Sequence, residues 1–242
     1  MKTSQAFFTG IFLLVIICAF TPNGKPADTK SIEGFWKMKG ENSTALIVNG
    51  YFSQTYYDKA AKTFGNTSGG TISLDGNTLR GKFQFASDDK ARVGTEFNLP
   101  AEVKGNTLTI SIDGNKQEWE RVEGADKNLA GVWRITQREN EGKMNAMPLQ
   151  ARRTLKILSD GHFQWIAINI ETGEFSGTGG GSYTFKNGKY TENIEFFSRD
   201  NTRVGASLSF DGQLKGDDWH HKGKSSKGDP IHEVWSKFDA SK

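Results

Sequence analysis

An internal repeat constrains this chain more than any other feature. Gly69-Gly70 recurs as Gly180-Gly181, Arg92-Val93-Gly94 as Arg203-Val204-Gly205, and Lys104-Gly105 as Lys215-Gly216, each pair 111 positions apart. From Gly50 to Gly105 the first copy aligns without a gap on Gly161 to Gly216, and 14 of the 56 paired positions are identical. Self-similarity at a fixed spacing means one structural unit used twice, so the 242 residues divide into two small domains. The opening Gly34-Phe35-Trp36-Lys37 recurs as Gly131-Val132-Trp133-Arg134, at an offset of 97. The second copy therefore carries extra residues after its first strand. That insert, Glu139 to Gln150, is polar and is expected to form a long first loop or a short lid helix across a barrel mouth.

Turn signals fall at short, regular intervals. They are Asn49-Gly50, Asp75-Gly76, Gly105-Asn106 and Asp113-Gly114, then Asp160-Gly161, Asn187-Gly188 and Asp211-Gly212. Asn-Gly and Asp-Gly supply the positive φ angles of two-residue hairpins. Between them run alternating segments such as Lys82-Phe83-Gln84-Phe85 and Thr107-Leu108-Thr109-Ile110, the period-two pattern of half-buried strands. The 28 glycines and 17 phenylalanines against 5 prolines fit many tight turns and bulky inward positions. The expectation is an all-β fold of two tandem antiparallel up-and-down barrels with about eight strands each. A sandwich is the alternative, but no crossover of Greek-key length is visible.

The expected organisation is a signal peptide over 1–20, a flexible tether over 21–31, a first barrel over 32–123, a linker over 124–128 and a second barrel over 129–239. Lys2 followed by the apolar run Ile11 to Phe20 is too short to span a bilayer and reads as an export signal. The expected location is periplasmic or secreted. Cys18 is the only cysteine, which removes disulfides and thiolate chemistry from the barrels. It leaves two fates for the leader, cleavage near Ala19 or lipid attachment at Cys18. Ile17 stands where a lipoprotein signal carries a small residue. A lipid anchor at Cys18 is the one membrane association expected.

A net charge of +3, from interspersed residues, gives no basic stripe, so no nucleic-acid partner is expected. No cofactor is expected either. Gly177 to Gly181 enters a strand and lacks the helix N-terminus that holds a phosphate, so close backbone packing or a bulge explains it better. All four histidines, His162, His220, His221 and His232, lie in the second copy. Adjacent His220 and His221 point to opposite faces of a strand, which argues against a shared metal.

Each copy opens with Gly-x-Trp, at Trp36 and Trp133, and closes with a cation two places after a Trp, at Arg121 and Lys237. This resembles the lipocalin and fatty-acid-binding superfamily. The resemblance implies that the opening Trp packs at the closed end under the last strand's cation. More narrowly, the second copy is similar to uncharacterised lipocalin-like domains of secreted Bacteroidetes proteins. Its carriers are Asp160-Gly161-His162-Phe163-Gln164-Trp165, Gly179-Gly180-Gly181-Ser182-Tyr183, Tyr190-Thr191-Glu192 and Glu233-Val234-Trp235-Ser236-Lys237. The first copy departs at four of these points, with Gln54, Ile72, Leu79 and Gly81 for Trp165, Tyr183, Tyr190 and Glu192.

The candidate ligand site follows from alternation. Tyr190 and Glu192 share one strand face, and Glu233 and Trp235 lie on another. If these faces point inward, Trp165, Tyr183, Tyr190, Glu192, Trp219, Glu233 and Trp235 line an aromatic cavity with two acids, suited to a small, mostly apolar ligand. The plainer alternative is that Glu233 pairs with a cation, Glu192 accepts a hydrogen bond and the aromatics are core. A hydrolase or isomerase using Glu192 or Glu233 as a buried general base is a second function class. A structural envelope module is a third.

Overall fold

Alternating side chains and positive-φ turns close each copy of the repeat into a barrel. The computed structural model describes residues 29–124, 128–225 and 228–239. The expected signal segment with Cys18, most of the expected tether and linker residues 125–127 lie outside the described residues.

The first copy contains β1 (Gly34–Met38), β2 (Ser43–Val48), β3 (Tyr51–Asp58), β4 (Thr63–Asp75), β5 (Thr78–Ala86), β6 (Glu96–Lys104), β7 (Thr107–Ile112) and β8 (Asn115–Arg121). Each strand is antiparallel to the next, and β8 returns to β1 with Trp36 opposite Arg121. The second copy contains β9 (Gly131–Asn140), β10 (Lys143–Ala146), β11 (Arg152–Ser159), β12 (His162–Asn169), β13 (Glu174–Lys186), β14 (Lys189–Phe197), β15 (Ser207–Lys215), β16 (Asp218–Lys224) and β17 (Pro230–Lys237). It closes through β17 on β9, with Lys237 opposite Trp133. Closure removes the open edges from each eight-stranded wall, and among the described residues only β10, paired to β9 alone, ends as an edge.

Asn49-Gly50, Asp113-Gly114, Asp160-Gly161 and Asn187-Gly188 all carry positive φ at both residues, the geometry their sequences require. Three expectations are corrected. Asp211-Gly212 is no turn but lies inside β15, where Gly212 lets the Phe185 ring approach to within 2.7 Å of where a Cβ would stand. The insert forms no lid helix, and only its end, 147–150, is loop. It lengthens β9 and adds β10 as a hairpin, with Glu141 and Gly142 at φ 51° and 74° in the turn. The end of the expected tether is ordered, since Thr29–Ile32 form a 3-10 turn that buries Ile32.

The glycine pairs explain themselves through packing. A β-bulge falls between Gly69 and Gly70, and another between Gly180 and Gly181. A Cβ on Gly70 or Gly181 would sit 2.0 Å from the carbonyl of Lys82 or Asn193.

The barrels pack wall against wall through equivalent faces. In β3, Phe52 and Gln54 point inward while Tyr51, Ser53, Thr55 and Tyr57 point to the partner barrel. In β12, Phe163 and Trp165 point inward while His162, Gln164, Ile166 and Ile168 point across. One apolar cluster spans the junction, with Phe35, Leu46, Val48, Tyr51 and Phe85 on one side and Val132, Leu155, Ile157, Ile166, Ile168 and Phe238 on the other. Phe35 stacks on the His162 ring at 3.6 Å. Burial pushes the His162 pKa down.

Gln164 sits at the centre of this junction. Its Oε1 accepts from the hydroxyls of Ser53 (2.5 Å) and Thr55 (3.0 Å), and its Nε2 donates to those of Thr67 and Thr178 (3.0 Å each). Ser53 is the repeat equivalent of Gln164, and Thr67 of Thr178. The threonines then donate to the carbonyls of Gln54 and Trp165, another equivalent pair. A buried amide saturated in this way costs little, but the same groups left without partners cost 1–3 kcal/mol each. Gln164→Ala is therefore expected to lower the unfolding free energy by about 2–3 kcal/mol in urea denaturation. A loss within experimental error would mean that the junction does not depend on this network.

Candidate functional site

Each barrel is floored in the same way. Trp36 Nε1 donates to the Ile32 carbonyl at 2.8 Å, and Trp133 Nε1 to that of Leu129 at 2.9 Å. Arg121 lies 4.2 Å above the Trp36 ring and donates to the carbonyls of Ser31 and Glu33. Lys237 stands 5.8 Å from the Trp133 ring. The indole, its carbonyl acceptor and the overlying cation seal one end of each barrel.

Above the floor the barrels differ. The first holds a partly open cavity of about 110 Å³, walled by Ile47, Phe52, Ile72, Leu79, Phe97 and Leu108. Its polar lining consists of Gln54, Arg92, Gln117 and the indole of Trp119. Arg92 lies over the Phe83 ring at 4.4 Å and donates to the Ser68 hydroxyl at 3.3 Å. The Trp119 N–H is buried and has no hydrogen-bond partner among the described residues.

Inside the second barrel the seven residues singled out in the sequence do come together, but around side chains that occupy the space. Lys156 Nζ meets Glu192 Oε1 at 2.7 Å, with both side chains 6% exposed. The same ammonium lies 5.0 to 5.8 Å from the rings of Phe163, Tyr190, Trp219 and Trp235. Trp219 stands edge-on to Trp133 and to Tyr190 at 5.8 and 4.7 Å, and Tyr183 lies 5.6 Å from Tyr190. Trp165, half-buried, packs edge-on to Phe197. His221 fills the remaining wall, 4.1 Å from the Phe210 ring.

Set side by side, equivalent positions show where the space went. Ala45, Ile72, Leu79, Gly81, Leu108, Ile110 and Gln117 of the first copy correspond to Lys156, Tyr183, Tyr190, Glu192, Trp219, His221 and Glu233 of the second. Nearly every change puts a larger or charged group inward. Lys156 and His221 were absent from the sequence-derived set. Lys156 had a signal, as a lone cation at an inward position of the apolar run Leu155 to Leu158. His221 had none beyond its alternation.

Glu233 is held ionised. Burial alone would raise the Glu233 carboxyl, but the His221 ring and the Arg138 guanidinium at 2.7 Å outweigh it and hold the carboxyl at about 2. Trp235 Nε1 also donates to its Oε2 at 3.0 Å. A base poised near neutrality needs the opposite shift. His221 Nδ1 stands 3.7 Å from Glu233 Oε2, and burial pushes the ring's pKa down. His220 and His232 lie on the outer face with rings 6.3 Å apart, and His232 meets Glu139 at 2.7 Å.

Eight-stranded up-and-down closure over a sealed Trp floor makes each barrel lipocalin-like, and the chain is a tandem pair of them. Over residues 128–242, which contain the second barrel, the chain matches a family described as a domain of unknown function, DUF4488. No curated protein matches it. Among solved structures it is similar to a lipocalin-like protein from Bacteroides uniformis, with 18% identity and a TM-score of 0.33 over 46% of this chain and all of that one. It is also similar to a double mutant of transferrin-binding protein B from Haemophilus parasuis, with 13% identity and a TM-score of 0.25 over 81% of this chain and 60% of that one.

Two outcomes follow for the second barrel. Lys156→Met strands a buried carboxylate and is expected to cost about 3–5 kcal/mol, most of which returns in Lys156→Met/Glu192→Leu. A double variant no better than the single one would contradict the pairing. His221 has a depressed pKa when folded, so its contribution is present above the ordinary pKa of about 6.5 and is lost as pH falls below it. Urea midpoints taken from pH 7 to pH 5 should therefore fall less steeply in His221→Phe than in wild type. Identical slopes would show that His221 protonates freely in the fold.

Proposed function

We propose that this chain is a non-enzymatic, exported binding protein whose first barrel takes up a small, mostly apolar ligand, with the second barrel as a filled companion. The observation that carries this reading is the cavity of about 110 Å³ under Ile72, Leu79 and Phe97. An apolar cavity of roughly 150 Å³ is enough for benzene or xenon, so the space suits a single ring or short branched chain. Larger drug-like ligands use roughly 300–1,000 Å³, and such a molecule would have to extend out through the mouth.

The sequence reading favoured the second barrel because it holds more aromatic and acidic residues. The same residues argue the other way once Lys156 and His221 stand among them. Glu192 is committed to Lys156 and Glu233 to Arg138, which also weakens the hydrolase or isomerase reading. Export rests on the apolar run from Ile11 to Phe20 and joins this proposal on that ground.

The six tryptophans make the test direct, because each gives an indole N–H signal in a nitrogen–proton correlation spectrum. Titration with toluene or indole should move the Trp36 and Trp119 signals and leave Trp219 and Trp235 in place. Leu108→Trp, which installs the indole that the second barrel carries as Trp219, should abolish the shifts. Movement confined to Trp219 and Trp235 would overturn the assignment to the first barrel.

A further inference from the structure

We infer that the ligand of the first barrel is a small carboxylate, with a ring or short chain as its apolar body and its acid group recognised by the Trp119 N–H and Arg92. This rests on the proposed binding role of that barrel and names the chemistry of its ligand.

The second barrel supplies the template. There Trp235, the equivalent of Trp119, donates to the Glu233 carboxylate, which Arg138 also holds at 2.7 Å. The carboxylate is thus taken by an indole N–H and a guanidinium together. In the first barrel the position of Glu233 is filled by Gln117, and the indole N–H is left buried without a partner. Trp119 is only 3% exposed. A buried donor of this kind costs 1–3 kcal/mol unless something accepts from it, and Trp119 lines the cavity.

A cation is present here too, but from a different element. Arg92 belongs to the 3-10 turn Lys90–Arg92 between β5 and β6. Its guanidinium lies 4.4 Å from the centre of the Phe83 ring and 3.5 Å from Asp88, and Arg92 borders the cavity. Guanidinium and indole N–H are donors without acceptor capacity, so the group they select must accept. The neighbouring Gln54 and Gln117 amides leave the net charge of the lining positive. A carboxylate takes both donors in charge-assisted hydrogen bonds, which are roughly twice as strong as those a neutral hydroxyl or amide oxygen accepts.

The test compares phenylacetate, phenylacetamide and toluene as ligands of the whole chain, by calorimetry and by the indole signals. Phenylacetate is expected to bind at least tenfold tighter than phenylacetamide. Trp119→Phe and Arg92→Gln should each remove most of that preference, read as the ratio of phenylacetate to phenylacetamide affinity within the same variant. If toluene binds in the first barrel and phenylacetate binds no better than the amide, the carboxylate inference fails and the binding role stands. If none of the three perturbs Trp36 or Trp119, the binding role fails and this inference with it. Should Trp119→Phe be poorly folded, the Arg92→Gln arm alone decides, because an unchanged preference there excludes the charge recognition.

Discussion

The packing of one barrel wall on the other, with Gln164 saturated at its centre, is the interaction on which the rest of the structure depends. It uses the same outward face of each copy, so the two barrels meet as a symmetric pair would, although they are covalently joined. Equivalent residues face each other there, as with Ser53 and Gln164 or Thr67 and Thr178. The outward positions of β2, β3, β11 and β12 are therefore tied to the fold. Because strands alternate, the inward positions of the same strands are not.

That separation explains how the interiors diverged while the shells did not. The turns at Asp89 and Asp200 are capped alike, each aspartate accepting from the backbone two residues on. The floors under Trp36 and Trp133 are alike as well. Between floor and mouth, one copy keeps Ala45, Gly81 and Ile110 and is partly empty. The other has Lys156, Glu192 and His221 packed among its aromatic rings. A buried ion pair in an aromatic surround is costly unless every group is paired, and here Lys156 answers Glu192 while Arg138 and Trp235 answer Glu233. The second barrel carries its own anions and cation inside, where the first leaves donors facing a cavity.

Much of the fold was legible in the sequence. The fixed 111-residue spacing survives in three dimensions down to matching hydrogen bonds, as when Ser87 and Ser198 accept from the backbone of Thr67 and Thr178. Asn-Gly and Asp-Gly named most hairpins because their φ requirement is local. Asp211-Gly212 misled because its glycine answers to the Phe185 ring, a contact distant in the chain. The insert misled because polar residues in an exposed hairpin carry no burial pattern. The site was harder to read. Sequence identified which residues face inward in the second barrel but could not show whether the space between them is open, since that depends on the reach of Lys156 across the barrel to Glu192. The open volume lies where the sequence is plainest, among Ile, Leu and Phe.

Crystals held under xenon pressure test the central claim most directly, because xenon enters open, largely apolar space of this size and not space that side chains fill. The account predicts xenon density inside the first barrel, among Trp36, Ile72, Leu79 and Phe97, and none among Lys156, Glu192, Tyr190 and Trp219. Xenon in the second barrel, or a first barrel that admits none, would contradict it.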